Sequence, residues 1–176
     1  MSKMKYEKEI AVGVVSGLIA SWIKSLVEPT LQEIGEKYYP PTARESALYG
    51  ADVKHHPEKM PPAILAEDIY NLYTKKELSE NQKIKSLKAI HYTFGALTGI
   101  GYVLAVKKNK KVTTGDGVVA GVAIWGLTHG SSLPAMGLQG PVKKMPKSWW
   151  VWELGSHLIF GVALETSRRI LSRCKN

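Results

Sequence analysis

The sequence contains a single cysteine, Cys174, in a polar C-terminal tail, so no disulfide can form within the chain. Several recognition motifs are also absent: there is no glycine-rich nucleotide loop, no nucleophile elbow, no cysteine metal cluster and no HExxH. No repeat of solenoid period and no low-complexity tract is present. Function must therefore be inferred from how the polar and apolar residues are distributed.

No strong hydropathy peak stands out, and a basic composition of 44% hydrophobic and 22% charged residues would suit a soluble protein. The charges nevertheless lie almost wholly outside four segments, each close to the ~17–25 residues that cross a bilayer. The segments are Ile10–Val27, Ala89–Val106, Gly117–Leu138 and Trp149–Leu164. We therefore predict an all-α fold: one membrane domain, residues 1–176, with four transmembrane helices at about 10–27, 89–106, 117–138 and 149–168. A soluble bundle with long buried helices is the alternative.

The stretch 29–88 is predicted to form a long, partly helical loop over the outer face. EPTLQEIGEKYYPPTAR extends helix 1 past Pro29 until Pro40 and Pro41 stop it. PAILAEDIYNLYTKKEL has apolar residues near helical spacing and predicts a surface helix on the bundle or at the membrane interface. Ser79 or Asn81 is a suitable cap before helix 2.

The net charge of +9 is explained better by membrane topology than by nucleic acid, because the basic residues do not share one face with interleaved aromatics. In an up-down chain, three basic groups fall on one side: Lys3, Lys5 and Lys8; Lys107 to Lys111; and Arg168, Arg169, Arg173 and Lys175. The positive-inside rule then places both termini in the cytoplasm. Lys143, Lys144 and Lys147 on the opposite side argue against this orientation. The N-terminal apolar run lacks a secretory cleavage site and is interpreted as a retained helix.

Glycines recur at four-residue spacing in the first three predicted helices: Gly13/Gly17, Gly95/Gly99, Gly117/Gly121 and Gly126/Gly130. Such pairs allow helix backbones to approach closely in lipid, where the hydrophobic effect cannot draw helices together. They predict a tight bundle, and the same faces are candidate contacts in a homo-oligomer.

Polar residues inside the apolar segments are predicted to gather at one depth, because the ends of odd helices and the starts of even helices face the same side. Lys24 and Glu28 share a face of helix 1, and Glu153 and His157 share a face of helix 4. Tyr102 is placed on the same face of helix 2 as His91. Since ionisable groups in a bilayer are costly unless paired, we expect an inward-facing cluster near the outer face. Its members are Lys24, Glu28, His91, Tyr102, His129, Glu153 and His157.

Three chemical roles suit this cluster. Its histidines and carboxylates could pass or sense protons or handle ions. His91, His129, His157 and Glu153 could instead bind a divalent metal such as zinc, in a metal-binding protein or a metalloenzyme. The polar groups could also only fix the register of the helices, as in a structural or partner-binding subunit. Glu165 with Arg168 and Arg169 is predicted to be a structural ion pair at the cytoplasmic end.

The same residues carry a resemblance to the YagU-like family of bacterial inner-membrane proteins, whose molecular function is unknown. The chain resembles it in GLIASWIKSLVE with Lys24 and Glu28, in His91 followed by Gly101-Tyr102, in HGSSLPAMGL from His129, and in Glu153, His157, Glu165 and Arg168-Arg169. The resemblance implies a multi-pass protein of the bacterial cytoplasmic membrane, loosely associated with acid or envelope stress. It implies no reaction, ligand or cofactor. The chain departs from the family in its lysine-rich middle loop and shorter ends.

Overall fold

A computed structural model describes the backbone of residues 3–173 and side chains from Tyr6 onward. Cys174 and Lys175 of the predicted polar tail lie outside the described residues. The described part is all-α, without strands. Its α-helices are α1 (Lys3–Tyr38), α2 (Ala43–Ser46), α3 (Pro61–Thr74), α4 (Glu80–Lys108), α5 (Val118–Leu127), α6 (Leu133–Ala135), α7 (Lys147–Trp149) and α8 (Gly155–Arg173). Three 3₁₀ segments, Pro57–Lys59, Lys110–Gly117 and Val142–Lys144, and two π-helical turns, Thr128–Ser132 and Trp150–Leu154, connect them.

The all-α prediction is confirmed, while the prediction of four transmembrane helices is met only in part. Within the described residues, Tyr6–Tyr38 and Glu80–Lys108 are long and apolar enough to cross a membrane. The third predicted helix is interrupted, because a π turn separates α5 from the short α6. The fourth is assembled from α7, a π turn and α8, and α8 carries an arginine-rich end. Two candidate spans are therefore established by length and composition.

The first of two compact units contains 3–26, 92–124 and 156–173. Glycine contacts between α1 and α4 determine how closely its helices approach. A Cβ added at Gly13 would lie 2.6 Å from the Cα atom of Ile100, and Gly17 and Gly95 lie against each other's backbone. Only residues without side chains fit at such positions. The hydrophobic core of this unit is built from Ala20, Tyr102, Ala120, Phe160, Ala163 and Leu164.

The same unit uses glycines a second time, where α5 and the preceding segment meet α8. Gly117 lies against the backbone of Gly161, and a Cβ added at Gly121 would lie 3.0 Å from the carbonyl carbon of His157. Three of the four predicted glycine pairs thus make helix contacts within the chain. In the fourth pair, a Cβ at Gly126 would meet nothing within 4 Å. Homo-oligomer contacts through such faces stay a prediction.

The second unit contains 27–91 and 125–155, and its core is built from Ala51, Met60, Met145, Trp149 and Trp152. The fully buried Gln32 of α1 ties the following loop to the helix. Its side-chain oxygen accepts the backbone N–H groups of Val53 and Lys54, each at 3.1 Å. Its amide nitrogen donates to Asp52 Oδ1 at 2.7 Å. The end of α1, which runs through Pro29 and ends before Pro40, therefore anchors the long loop.

The predicted surface helix and the predicted cap of helix 2 are also present in this unit. α3 begins with two prolines at its first positions and ends at Thr74, which is followed by Lys75 with left-handed backbone angles. Its Ile69, Leu72 and Tyr73 are exposed. α4 follows Ser79, whose hydroxyl accepts the N–H of Gln82 while the Gln82 side chain accepts from Ser79. This reciprocal pair is a capping box.

Gly17→Val is expected to destabilise the protein by about 1–3 kcal/mol or more, because added atoms at a close helix contact force the backbones apart. Thermal unfolding in mild detergent, followed by circular dichroism, measures the change. Gly101→Ala is the matched control, since a Cβ at Gly101 of α4 meets nothing within 4 Å. That variant should be as stable as the parent or up to about 1 kcal/mol more stable. Equal stability of Gly17→Val and the parent would contradict the helix-contact assignment.

Asp52 supplies a pH-dependent contribution to stability. Burial raises the pKa of Asp52, but hydrogen bonds from Gln32 and the His55 backbone, together with the charge of His55, outweigh burial and hold the pKa below its ordinary value. A depressed pKa stabilises the fold at pH values above the unfolded-state pKa of about 3.9, and this contribution is lost as the pH falls through the folded-state pKa. Asp52→Asn should lower stability at pH 7 by about 1–2 kcal/mol.

Melting curves recorded between pH 7 and pH 2.5 test this prediction. Asp52→Asn should lose less stability on acidification than the parent, while Asp68→Asn, which removes an exposed carboxylate on α3, should follow the parent curve. Parallel pH profiles for Asp52→Asn and the parent would refute the assignment.

Candidate functional site

Two of the predicted site residues lie in the two π-helical turns. His129 is in the turn Thr128–Ser132, and Glu153 is in the turn Trp150–Leu154. In the first turn the N–H of Leu133 donates to the carbonyl of Thr128, five residues earlier. π turns insert a residue into an α-helix and occur often at functional sites.

The sequence HGSSLP explains why the first π turn is stable. Pro134 has no N–H to donate to the preceding turn, so the regular helical ladder is broken there. The Ser131 hydroxyl donates to the carbonyl of Gly126 at 2.8 Å, and the Ser132 hydroxyl donates to the carbonyl of Leu127 at 2.7 Å. These hydroxyls satisfy carbonyl groups in the widened turn.

The His129 imidazole is oriented by Gln139, a buried residue beyond Pro134. The amide nitrogen of Gln139 donates to the backbone carbonyl of His129 at 3.0 Å, which turns the amide oxygen toward the ring. This oxygen lies 2.6 Å from His129 Nδ1, so Nδ1 must donate its proton to it. His129 Nε2 then faces Glu153, with its nitrogen 3.4 Å from Glu153 Oε1.

His157 completes a group of three ligand-capable side chains. It is buried and follows Glu153 by four residues, so the two side chains share a face of the helix. One imidazole nitrogen or carboxylate oxygen from each of His129, Glu153 and His157 lies within 4.8 Å of the others. Two ligands about 2.0–2.2 Å from a tetrahedral metal are about 3.3–3.6 Å apart. The 3.4 Å between His129 and Glu153 agrees with that separation.

Tryptophans surround part of this group. The Trp149 ring is fully buried, and its centroid lies 6.4 Å from that of His129. Trp125 and Trp150 pack against Trp149 with centroids 6.0 and 5.4 Å away. Such apolar surroundings strengthen electrostatic interactions and make an uncompensated carboxylate costly. Glu153, with no exposed surface, therefore requires protons or cations close to it.

Three other members of the predicted cluster lie on α1 and α4. Lys24 and Glu28 are buried one turn apart on α1, and His91 is partly buried on α4. That these three residues share one polar cluster with His129, Glu153 and His157 stays a prediction.

Tyr102 does not lie at the depth predicted for it, that of the other cluster residues. Its hydroxyl donates to Glu165 Oε2 at 2.9 Å. Tyr102 shares a face of α4 with His91, but eleven helical residues place it about 16 Å further along the axis. It therefore belongs with the residues at the arginine-rich end of α8.

Glu165 is the centre of that second polar group, within the first unit. Its carboxylate is 1% exposed and accepts two hydrogen bonds from Arg168, at 2.7 and 2.8 Å, and one from Arg169 at 2.5 Å. Arg169 also contacts Asp116 Oδ1 at 2.8 Å. The paired charges and hydrogen bonds satisfy a carboxylate that would otherwise be expensive to bury.

Sequence reasoning missed Gln139 and both π turns. Gln139 follows His129 by ten residues across a proline, and no helical spacing connects the two. The π turns result from one added residue each, which changes no hydrophobic period that could be read from a single sequence. Pro134 did predict a break in the third helix within HGSSLPAMGL, and the serines beside it were a further signal of an irregular turn.

Fold and site together define an all-α protein with two candidate membrane-spanning helices and a His–Glu–His group, of which Glu153 and His157 are buried. The comparison with family models matches residues 32–166 to the family described as protein of unknown function, DUF1440. The chain belongs to this family. No curated protein and no solved structure matches it. The YagU-like name stays a resemblance.

Glu165→Gln is expected to lower the free energy of unfolding by about 2–4 kcal/mol, because it removes the buried anion that Arg168 and Arg169 share. Both guanidinium groups are partly exposed, so the loss should fall below that of a wholly buried pair. Asp116→Asn is the control: it removes the exposed partner of the same Arg169 and should cost less than about 1 kcal/mol. Denaturant unfolding in detergent distinguishes them. Similar losses of stability in both variants would show that the buried carboxylate of Glu165 stabilises the fold no more than the exposed carboxylate of Asp116.

Proposed function

We propose that this chain is a polytopic membrane protein that binds a divalent metal ion through His129, Glu153 and His157. The observation that carries the proposal is the convergence of three ligand atoms within 4.8 Å of one another. His129 and Glu153, 24 positions apart, lie in two helical turns of unusual geometry, and His157 lies near the start of α8. A purely structural polar contact does not require three ligand-type groups at one point.

The chemistry of the donors favours zinc. Two imidazoles and one carboxylate form a donor set that Zn²⁺ accepts, whereas Ca²⁺ and Mg²⁺ prefer six or more oxygen ligands. Imidazole also suits Cu²⁺, Ni²⁺ and Fe²⁺, so geometry and availability select among them. Three protein ligands leave one tetrahedral position for water or another small ligand.

Gln139 supports the same proposal as an outer partner of His129. Metal-bound histidines usually donate their second ring N–H to a protein acceptor, which orients the ring and makes the ligating nitrogen more basic. Here Gln139 Oε1 is that acceptor, at 2.6 Å from Nδ1. The second hydrogen bond from Gln139 to the His129 carbonyl holds the amide in the required orientation.

The membrane part of the proposal is supported by the apolar helices Tyr6–Tyr38 and Glu80–Lys108. Exposed apolar side chains on the first of them include Val15, Leu18, Trp22 and Leu26. Close glycine contacts between α1 and α4 are typical of helices packed in lipid. We propose that the continuous helical stretches 118–135 and 147–173 are two further spans. Both termini would then face the cytoplasm, in the inner membrane that the YagU-like resemblance implies.

Proton or ion handling, and a purely structural role, are the competing proposals for the same residues. Both place ionisable groups in the bundle interior, and neither requires a bound metal. Metal content therefore separates them from the proposal made here.

The test is metal analysis of protein purified in mild detergent, without chelators or a histidine tag. We expect about one metal ion per chain by mass spectrometry. After removal of the metal, titration with Co²⁺ should restore binding and quench tryptophan fluorescence, because Trp149 lies beside His129. His129→Ala and Glu153→Gln should each weaken binding by at least about 10-fold, and Gln139→Leu by about 10–100-fold.

His56→Ala is the matched control, since it removes a half-exposed loop histidine and should bind Co²⁺ like the parent. Melting curves of every variant establish that it is folded. Absence of stoichiometric metal in the parent, or unchanged Co²⁺ affinity in both His129→Ala and Glu153→Gln, would overturn the metal proposal. Proton or ion flux into proteoliposomes by the metal-free parent would then favour ion handling.

A further inference from the structure

An exposed group of cations forms one end of the first unit. We define this basic rim as Lys108, Lys110, Lys111 and Arg173. Lys108 is the last residue of α4, the next two lysines begin the 3₁₀ segment, and Arg173 ends α8. All four side chains are exposed, and within the described residues none forms a salt bridge.

The neighbouring acidic residues are engaged by other cations. Glu9 accepts from Lys107 at 2.7 Å, and Asp116 contacts Arg169 at 2.8 Å. These two pairs also connect the elements, because they tie the end of α4 to the start of α1 and the 3₁₀ segment to α8. Glu7, on α1, is an exposed acid of the same unit. The positive charge of the four rim side chains is therefore largely uncompensated by neighbouring carboxylates.

Exposed apolar residues adjoin the basic rim. Val118 and Val119 begin α5 directly after the 3₁₀ segment, and Ile170 precedes Arg173 by one helical turn. Their exposed fractions are 37%, 51% and 56%. A border between exposed cations and exposed apolar side chains is typical of protein at the boundary between lipid headgroups and acyl chains.

We propose that the basic rim binds the headgroups of anionic phospholipids. The inference rests on the membrane part of the proposed function and is independent of the metal. Lysines are compact, strongly hydrated charges that suit the phosphate layer, and the valines at the start of α5 and Ile170 contact the acyl chains beneath it. Phosphatidylglycerol, with a net negative headgroup, should therefore be preferred over zwitterionic phosphatidylcholine.

The test compares binding of fluorescent phosphatidylglycerol and phosphatidylcholine to the full chain in detergent micelles. We expect phosphatidylglycerol to bind at least about 10-fold more tightly at 50 mM salt, with the difference shrinking at 500 mM salt because of screening. The triple variant Lys108→Gln, Lys110→Gln, Lys111→Gln should lose this preference. The control variant Lys75→Gln, Lys76→Gln, Lys85→Gln removes three other exposed lysines and should retain it.

Equal binding of the two lipids, or equal loss of the preference in both triple variants, would overturn the lipid proposal. Displacement of the lipid by millimolar inorganic phosphate would also overturn it, since the rim would then bind a soluble anion. Alkaline carbonate extraction of cell membranes tests the membrane part separately. Release of the chain into the supernatant refutes membrane spanning, whereas retention with equal lipid binding refutes only the lipid proposal.

Discussion

The cost of burying a carboxylate is the constraint on which the polar architecture depends. Glu153 and Glu165, twelve residues apart, have 0% and 1% of their surface exposed. Glu165 is compensated by Arg168, Arg169 and the Tyr102 hydroxyl, which makes a closed ion-pair network. Glu153 faces an imidazole at 3.4 Å instead of a guanidinium. Because imidazole gains and loses protons near neutral pH and binds metals, the Glu153 group has chemical options that the Glu165 network lacks.

Glycine contacts determine how closely the helix backbones of the first unit approach one another. Without side chains at Gly117, Gly121 and Gly161, the chain around α5 packs directly on the α8 backbone, in one place at the carbonyl of His157. Glycine is entropically unfavourable in a helix. Its repeated use here indicates that close packing of the helices stabilises the fold by more than the low helix propensity of glycine destabilises it. The position of His157 thus follows from a backbone contact as well as from its spacing to Glu153.

The features that depend on spacing along a single helix could be predicted from the sequence. The pairing of Glu153 with His157 on one face needs only the helical period, and α1 continues past Pro29 to the Pro40–Pro41 stop as expected. The position of a residue along the helix axis was harder to predict. Tyr102 shares a face of α4 with His91 but contacts Glu165, because residues on one face can lie far apart along the axis. Gln139 and the π turns depend on tertiary packing and on single added residues, and neither produces a periodic pattern.

The two π turns also restrict how the chain length can vary. Each turn contains one residue more than a regular helix needs, so deleting any one residue there would restore α-helical geometry at little local cost. The helix on either side would stay close to its place, because a π turn accommodates its extra residue locally. His129 and Glu153 lie inside the two turns, so their side chains would face different directions although both were still present. In these two stretches the number of residues is therefore as much a part of the site as their identity.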